Sequence, residues 1–252
     1  MKITKYTFAL SLIYLIAIFS TPSSSAEGYI DIDLSKPEVE LTASFAGSEL
    51  LLFGIHNPGT DVIIVVRGPG VDTPVRRKDR VAGIWVNSDE ITFKNAPTFY
   101  TAASTIPPKN ILAPNILKKY EIGVENLKIE TDTKSAATIE TKPFLDGLVR
   151  NMNRTGLYNN DIATINKVGR QLFRTNLWFP SNVSVGDYLV TTHLVKDGNI
   201  INSKETKIVV HKVGIEANIY NFAHDYALFY GLLAIVIAVI SGWTANAVFR
   251  RG

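Results

Sequence analysis

The sequence predicts a mainly β ectodomain, an immunoglobulin-like antiparallel β-sandwich with a helical insertion, anchored by one C-terminal transmembrane helix. Three observations predict this fold class. Short segments of strand-like pattern recur at close spacing between Gly, Pro and Asn turns. Residues 142–156 instead place their apolar side chains at helical spacing. The final apolar run, residues 226–249, is longer than the roughly 20 residues that cross a bilayer.

The N-terminal end of the chain has the pattern of a signal peptide over residues 1–26. Lys2 and Lys5 form a basic start, Phe8–Phe19 is apolar, and small residues precede a predicted cut after Ala26. The alternative is a retained N-terminal anchor. Cleavage would leave a mature chain that begins outside the cytoplasm.

The C-terminal run predicts the single membrane span. Residues 226–249 contain no Asp, Glu, Lys or Arg, and Arg250 and Arg251 follow directly. Because short basic flanks stay in the cytoplasm, residues 250–252 are predicted to be a cytoplasmic tail. The bulk of the chain is then predicted to lie outside the cytoplasm. The alternative is a buried core helix.

Charge and cysteine content narrow the class of protein. The full chain has 26 basic and 23 acidic residues, but without Lys2, Lys5, Arg250 and Arg251 the balance is 22 to 23. The ectodomain has no basic surplus, so nucleic-acid binding is not predicted. The sequence contains no cysteine, which excludes disulfides and thiolate metal ligands and favours a bacterial envelope.

The first β region, residues 27–105, is rich in strand signals. Val62–Val66 is apolar without interruption, which predicts a central strand buried on both faces. Gly68-Pro69-Gly70 and Asn95-Ala96-Pro97 are predicted to break the chain. Between the first break and residue 81 we expect an arginine-bearing loop. The predicted strands are residues 39–45, 49–55, 62–66, 81–87, 91–93 and 98–103.

A helical and loop insertion, residues 106–165, separates this region from a second β region, residues 166–217. The main helix of the insertion is predicted to begin after Thr141 and to end at Gly156. In the second β region, Asp197-Gly198 between apolar runs predicts a hairpin. Whether the two β regions form one sandwich or two lobes stays open.

The candidate binding residues are four basic and aromatic side chains. Arg67 closes the central strand, Arg76 and Arg77 follow the Gly-Pro-Gly break, and Trp85 lies on the next predicted strand. Arginine forks bind oxyanions through paired hydrogen bonds, which predicts an anionic ligand or an acidic partner. The alternative is a solvated loop balanced by neighbouring acids. The sequence has no familiar catalytic motif, and no catalytic residue, metal site or cofactor is predicted.

Several blocks of the sequence resemble one family. They are Arg67-Gly68-Pro69, Val75–Lys78, Val81–Asn87 (VAGIWVN), Phe99-Tyr100, Gly156-Leu157-Tyr158, Leu172–Arg174, Val185–Tyr188 and Gly242-Trp243. Together they resemble the alphaproteobacterial transmembrane protein family of the Alph_Pro_TM type, over nearly the whole chain after the signal peptide. The resemblance implies a bacterial inner-membrane location and no established reaction. Members of the family resemble companions of sulfite-exporter/TauE-type anion permeases, which is an associational lead.

Two functions fit these features. The favoured hypothesis is a non-enzymatic, membrane-anchored periplasmic accessory or binding protein, whose helix lies in the lipid bilayer beside a sulfite-exporter/TauE-type anion permease. The alternative is a membrane-tethered envelope enzyme, a hydrolase with unidentified catalytic residues. A pocket of clustered acids or histidines would favour the enzyme, and an exposed aromatic patch would favour the accessory protein. The oligomeric state stays open.

The orientation of the chain is testable with reporter fusions. A reporter enzyme that is active only in the periplasm should be active when fused after residue 215 and silent when fused after Gly252, because Arg250 and Arg251 hold the C-terminus inside. Activity of the fusion after Gly252 would reverse the predicted orientation.

Overall fold

The computed structural model describes residues 28–132 and 140–249. Within these ranges the protein is mostly β, with several antiparallel strand pairs and one apolar C-terminal helix, which confirms the predicted mainly β class with a C-terminal span. The predicted signal peptide and the basic pair Arg250 and Arg251 lie outside the described residues. The immunoglobulin-like topology stays a prediction.

The described strands and helices follow one another along the whole chain. The strands are β1 (Ile30–Leu34), β2 (Glu38–Leu41), β3 (Ser48–His56), β4 (Asp61–Arg67), β5 (Gly70–Val81), β6 (Ile84–Pro97), β7 (Tyr100–Ser104), β8 (Glu130–Thr131), β9 (Ala163–Thr164), β10 (Asn166–Val168), β11 (Leu172–Phe179), β12 (Gly186–Lys196) and β13 (Asn199–Lys212). The helices are α1 (Pro108–Ile111), α2 (Pro114–Tyr120), α3 (Lys142–Arg154), α4 (Ile215–Asp225) and α5 (Ala227–Phe249), with a 3₁₀ turn at Val124–Asn126.

Two sheets enclose the main core. The four-stranded sheet has the order β1-β3-β11-β10, and the six-stranded sheet has the order β2-β13-β12-β4-β7-β9. Each sheet takes strands from both sequence regions, so the strands between Ile30 and Ser104 and those between Asn166 and Lys212 build one sandwich. The pairs β2–β13 and β7–β9 are parallel, and the other pairs in these two sheets are antiparallel.

Strand β4 lies at the centre of the molecule and is buried on both faces. Val62, Ile64 and Val66 face the core between the two sheets. Ile63 and Val65 face the opposite way and pack under a second layer. Because successive side chains of a strand point to opposite faces, an uninterrupted apolar run needs cover on both sides. This accounts for the second layer, which is built by α1, α2 and the 3₁₀ turn.

The hairpin that joins β12 to β13 confirms one local prediction. Asp197 and Gly198 both have positive φ, 47° and 77°, at a two-residue connection. This is the backbone that Asp-Gly supplies in a hairpin whose twist matches its strands.

The segment between Gly70 and Pro97 differs from its prediction. An arginine-bearing loop, a strand at residues 81–87 and a break at residues 95–97 were expected, but β5 and β6 form one long hairpin. Its two-residue loop is Ala82-Gly83, with φ of 51° and 85°. Both loop residues need positive φ, which alanine rarely adopts, so the sequence does not mark this turn. β8 pairs with β6 to complete a separate three-stranded sheet.

Buried His193 makes the stability of the fold depend on pH. It lies on β12 under the second layer, with its Nδ1 2.7 Å from the Ser203 hydroxyl and its ring against Tyr120. Burial, helped by the positive charge of Arg67, lowers the pKa of His193 to about 4. The unfolded chain therefore takes up a proton near pH 6.5, before the folded chain does.

We expect acid to destabilise the protein between pH 6.5 and 4 because of His193. Across that window the folded state loses about 3 kcal/mol relative to the unfolded state, and above pH 6.5 the contribution vanishes. His193→Gln should flatten this part of the profile. The measurement is the free energy of unfolding of the full chain in detergent, from urea titrations at several pH values. His211→Gln, on the neighbouring strand, is the matched control. An identical slope in wild type and His193→Gln would contradict the expectation.

Candidate functional site

The β5–β6 hairpin is packed near its base and free towards its tip. Near the base, Phe144 and Leu148 of α3 pack on Ile91, Phe93 and Ala96 of β6. The next segment, from Arg76 to Glu90, is exposed or half-buried throughout. The hairpin therefore has a supported base and an exposed outer part, which carries three of the four predicted binding residues.

A ladder of ion pairs crosses the outer part of the hairpin. Arg76 pairs with Glu90, and Arg77 pairs with Asp89 and lies 3.5 Å from Asp79. Asp89 and Glu90 both lie on β6, on the arm of the hairpin opposite the arginines. The two arginines are neutralised by their neighbours and remain solvent-exposed, so an incoming anion has to displace a carboxylate.

The tip of the hairpin is apolar. We define the hairpin tip as Val81, Ile84, Trp85 and Val86, whose side chains are 59%, 69%, 66% and 40% exposed. Trp85 lies directly opposite Arg80 across the hairpin, and Val81 lies opposite Ile84. Large apolar side chains at this level of exposure indicate an interaction surface when they are contiguous.

Arg67 lies apart from the other three candidates. It ends β4, at the base of the hairpin, where its guanidinium pairs with the half-buried carboxylate of Glu121. Burial lowers the pKa of Arg67, although nearby Tyr100 and Tyr158 counteract the shift. The structure therefore brings Arg76, Arg77 and Trp85 together on one hairpin and places Arg67 in a structural junction beneath it.

Two tyrosines complete the junction around Arg67. The Tyr100 hydroxyl donates to the Glu121 carbonyl at 2.8 Å and accepts from the Gly123 amide at 2.7 Å. The Tyr158 hydroxyl donates to the Pro97 carbonyl at 2.7 Å. Burial raises the pKa of Tyr100 to about 12 and also raises that of Tyr158, so both hydroxyls stay protonated donors at neutral pH. Sequence reasoning missed this junction because its members are far apart in the chain.

An open cleft of about 720 Å³ lies between α3 and the segment Val124–Ile129. It mixes apolar side chains with the Lys142–Asp146 pair and Arg150, and it contains none of the four predicted binding residues. Within the described ranges, no three His, Asp or Glu side chains gather as metal ligands would.

The last described helix is long and apolar enough to cross a membrane. α5 has 23 residues, which is about 35 Å of helix against a hydrocarbon core of about 30 Å. Over Ala227–Asn246 its side chains are not covered by the rest of the described protein. The fold and this helix define the class: a β-sandwich protein with one helix, among the described residues, that could span a membrane.

Comparison with known proteins places the chain in a family. The family model described as "Putative transmembrane protein (Alph_Pro_TM)" matches residues 29–251, and the chain belongs to this family. The search of curated proteins gives no match. Among solved structures, the chain is similar to Spo0M, sporulation control protein, from Bacillus subtilis, with 12% identity and a TM-score of 0.31. The match covers 79% of this chain and 56% of that chain, and no conclusion follows from so distant a likeness.

We expect the Arg67–Glu121 pair to stabilise the fold and the hairpin ladder to contribute little. Arg67→Met leaves a half-buried carboxylate unpaired and should cost about 1–3 kcal/mol of unfolding free energy. Arg76→Ala/Arg77→Ala removes exposed pairs and should cost less than about 1 kcal/mol. Urea unfolding of the full chain in detergent measures both.

A double-mutant cycle tests the partner assignment. If Arg67 and Glu121 interact, Arg67→Met combined with Glu121→Gln should cost less than the sum of the single changes. Strictly additive costs would contradict the Arg67–Glu121 interaction. A loss of unfolding free energy in Arg76→Ala/Arg77→Ala as large as in Arg67→Met would contradict the minor contribution of the hairpin ladder.

Proposed function

We propose that this protein is a non-enzymatic, membrane-anchored accessory protein whose ectodomain works in the periplasm beside a polytopic membrane partner. The observation that carries the proposal is the β5–β6 hairpin, whose outer part presents an exposed ladder of arginine–carboxylate pairs. A hairpin of this kind serves contact with another surface rather than enclosure of a substrate. The chemistry it offers is an arginine–carboxylate ladder with an aromatic end.

The membrane helix supports a partner in the same membrane. Gly231, Ala234, Ala238, Gly242 and Ala245 fall on one side of α5 at about 100° per residue, and all five are exposed. Small residues on one face let two helix backbones approach closely in lipid, where packing and not the hydrophobic effect drives association. The opposite face, with Val236 and Ile240, is bulky and suits lipid.

The arginine–carboxylate ladder suits a partner that carries or transports anions. Arg76 and Arg77 hold their acidic neighbours at exposed positions, where ion pairs contribute at most about 1 kcal/mol each. An acidic segment or an oxyanion can therefore exchange with Glu90 or Asp89 at small cost. Together with the family resemblance, this favours a sulfite-exporter/TauE-type anion permease as the partner.

Co-purification in mild detergent tests this proposal. The tagged full chain should retain a polytopic anion permease, identified by mass spectrometry. Ala234→Leu/Ala238→Leu adds bulk to the small-residue face and should reduce the recovered permease about tenfold or more, since a lost packing contact of 1–2 kcal/mol has that scale. Val236→Leu/Ile240→Phe adds bulk on the opposite face and should leave recovery unchanged.

Three outcomes would contradict the proposal. The first is recovery of no permease with the wild-type chain. The second is equal loss with both helix variants, which indicates general destabilisation of the helix. The third is hydrolysis of a substrate by the purified full chain, which would favour the envelope enzyme.

A further inference from the structure

We propose that the hairpin tip is a second membrane contact: Val81, Ile84, Trp85 and Val86 insert into the interface of the bilayer that α5 spans. This inference rests on the membrane anchor and does not depend on the identity of any protein partner. It assigns the exposed end of the hairpin to lipid, while the small-residue face of α5 remains the surface for a partner helix.

Both faces of the hairpin carry an exposed apolar side chain at the tip. Since side chains alternate along a strand and directly opposed residues share a face, Arg80 and Trp85 point to one side. Val81 and Ile84 point to the other side, together with Val86. A docking surface on a partner would cover one of these faces, whereas immersion in an apolar interface covers both.

The hairpin and the membrane anchor leave the sandwich at the same end. β4 and β13 both pair antiparallel with β12, so they run in the same direction. β4 ends at Arg67 and continues through Gly68 and Pro69 into the hairpin, and β13 ends at Lys212 and continues into α4 and α5. Arg67 and Lys207 both lie opposite Leu189 of β12, about 10 Å apart, and β13 continues five residues further towards the anchor, to Lys212.

The hairpin is long enough to reach the membrane surface. β5 has 12 residues and spans about 36 Å or more when extended. α4, which separates the sandwich from α5, has 11 residues and spans about 16 Å. From the level of Arg67, the last five residues of β13 extend about 17 Å and α4 adds about 16 Å, so the length of the hairpin matches the distance to the bilayer.

The residues behind the tip suit lipid headgroups. Within the described residues, Lys78 and Arg80 form no ion pair, unlike Arg76 and Arg77. Tryptophan prefers the membrane–water interface, and basic side chains beside it are attracted to anionic headgroups. Because α5 tethers the protein to the bilayer, the hairpin tip always lies near lipid. Even a weak affinity of the tip for lipid then gives a populated inserted state.

Site-directed spin labelling tests the insertion in the full chain. The protein contains no cysteine, so Ile84→Cys provides a single labelling site at the tip, and Asn199→Cys provides a matched exposed turn at the opposite end of the six-stranded sheet. Each variant is reconstituted into vesicles of phosphatidylethanolamine and phosphatidylglycerol. Collisions of the nitroxide with oxygen, which partitions into lipid, are compared with collisions with a water-soluble nickel chelate.

The expected result is a nitroxide at residue 84 that collides more with oxygen than with nickel, and a nitroxide at residue 199 that does the reverse. Lys78→Gln and Arg80→Gln should each lower the ratio of inserted to free tips by about fivefold in the anionic vesicles, because one basic residue at such a surface is worth about 1 kcal/mol. Lys196→Gln, at the far end of the sheet, should have no effect.

Equal nickel access at residues 84 and 199 would overturn the inference. The inference would also be overturned if the tip were shielded from both oxygen and the nickel chelate in native membranes but exposed to nickel in pure lipid. That pattern indicates that another protein covers the tip. The vesicles contain no permease, so a failure here leaves the co-purification result untouched, and a failure of co-purification leaves the insertion intact.

Discussion

The uninterrupted apolar run of β4 is the constraint on which the rest of the structure depends. Because Val62, Ile64 and Val66 point one way and Ile63 and Val65 the other, both faces need cover. The four-stranded sheet covers one face, and the helical insertion covers the other. The strand also sets the position of the hairpin, since the chain leaves it at Arg67 and enters β5 three residues later.

The junction at the end of β4 joins these parts mechanically. Arg67 pairs with Glu121 from the end of α2, and the hydroxyls of Tyr100 and Tyr158 bond to backbone carbonyls on either side of it. Gly186 lies so close to Pro69 that an added Cβ would approach the proline ring to 3.0 Å. The base of the hairpin is thus held by packing, an ion pair and hydrogen bonds. Arg77 in the outer part still lies 6.0 Å from the ring centroid of Phe144 on α3, whereas the hairpin tip is exposed. A rigid base holds the exposed hairpin tip in a fixed position relative to the sandwich.

The parts of this fold that the sequence predicts are those with a local physical cause. The run from Val62 to Val66, the Asp197-Gly198 turn and the uncharged C-terminal helix each need only neighbouring residues to be recognised. The interleaving of the two β regions depends on pairing between distant strands, such as β3 with β11, which no local pattern determines. The hairpin was missed because Ala82 adopts positive φ, a conformation that its residue type does not signal.

The candidate binding residues also divide into those that the sequence predicts from local spacing and those that depend on distant parts of the chain. Arg76, Arg77 and Trp85 were grouped from their short spacing, and the hairpin keeps them together. Arg67 was grouped with them for the same reason, but the direction of its side chain is set by β4, which points it into the second layer towards Glu121. The acids that neutralise the ladder have a signal that is visible in hindsight: basic residues lie on one arm and acidic residues on the other, with a one-residue offset that the register shift between Arg76 and Lys78 introduces.

The central claim is that the ectodomain meets the membrane through its hairpin as well as through its anchor. Photocrosslinking in native membranes tests it most directly, with a photoreactive amino acid at position 84 and a matched one at position 199. The account predicts phospholipid adducts from position 84 and none from position 199. An absence of lipid adducts at position 84, with the reactive group captured by water or by protein alone, would contradict it.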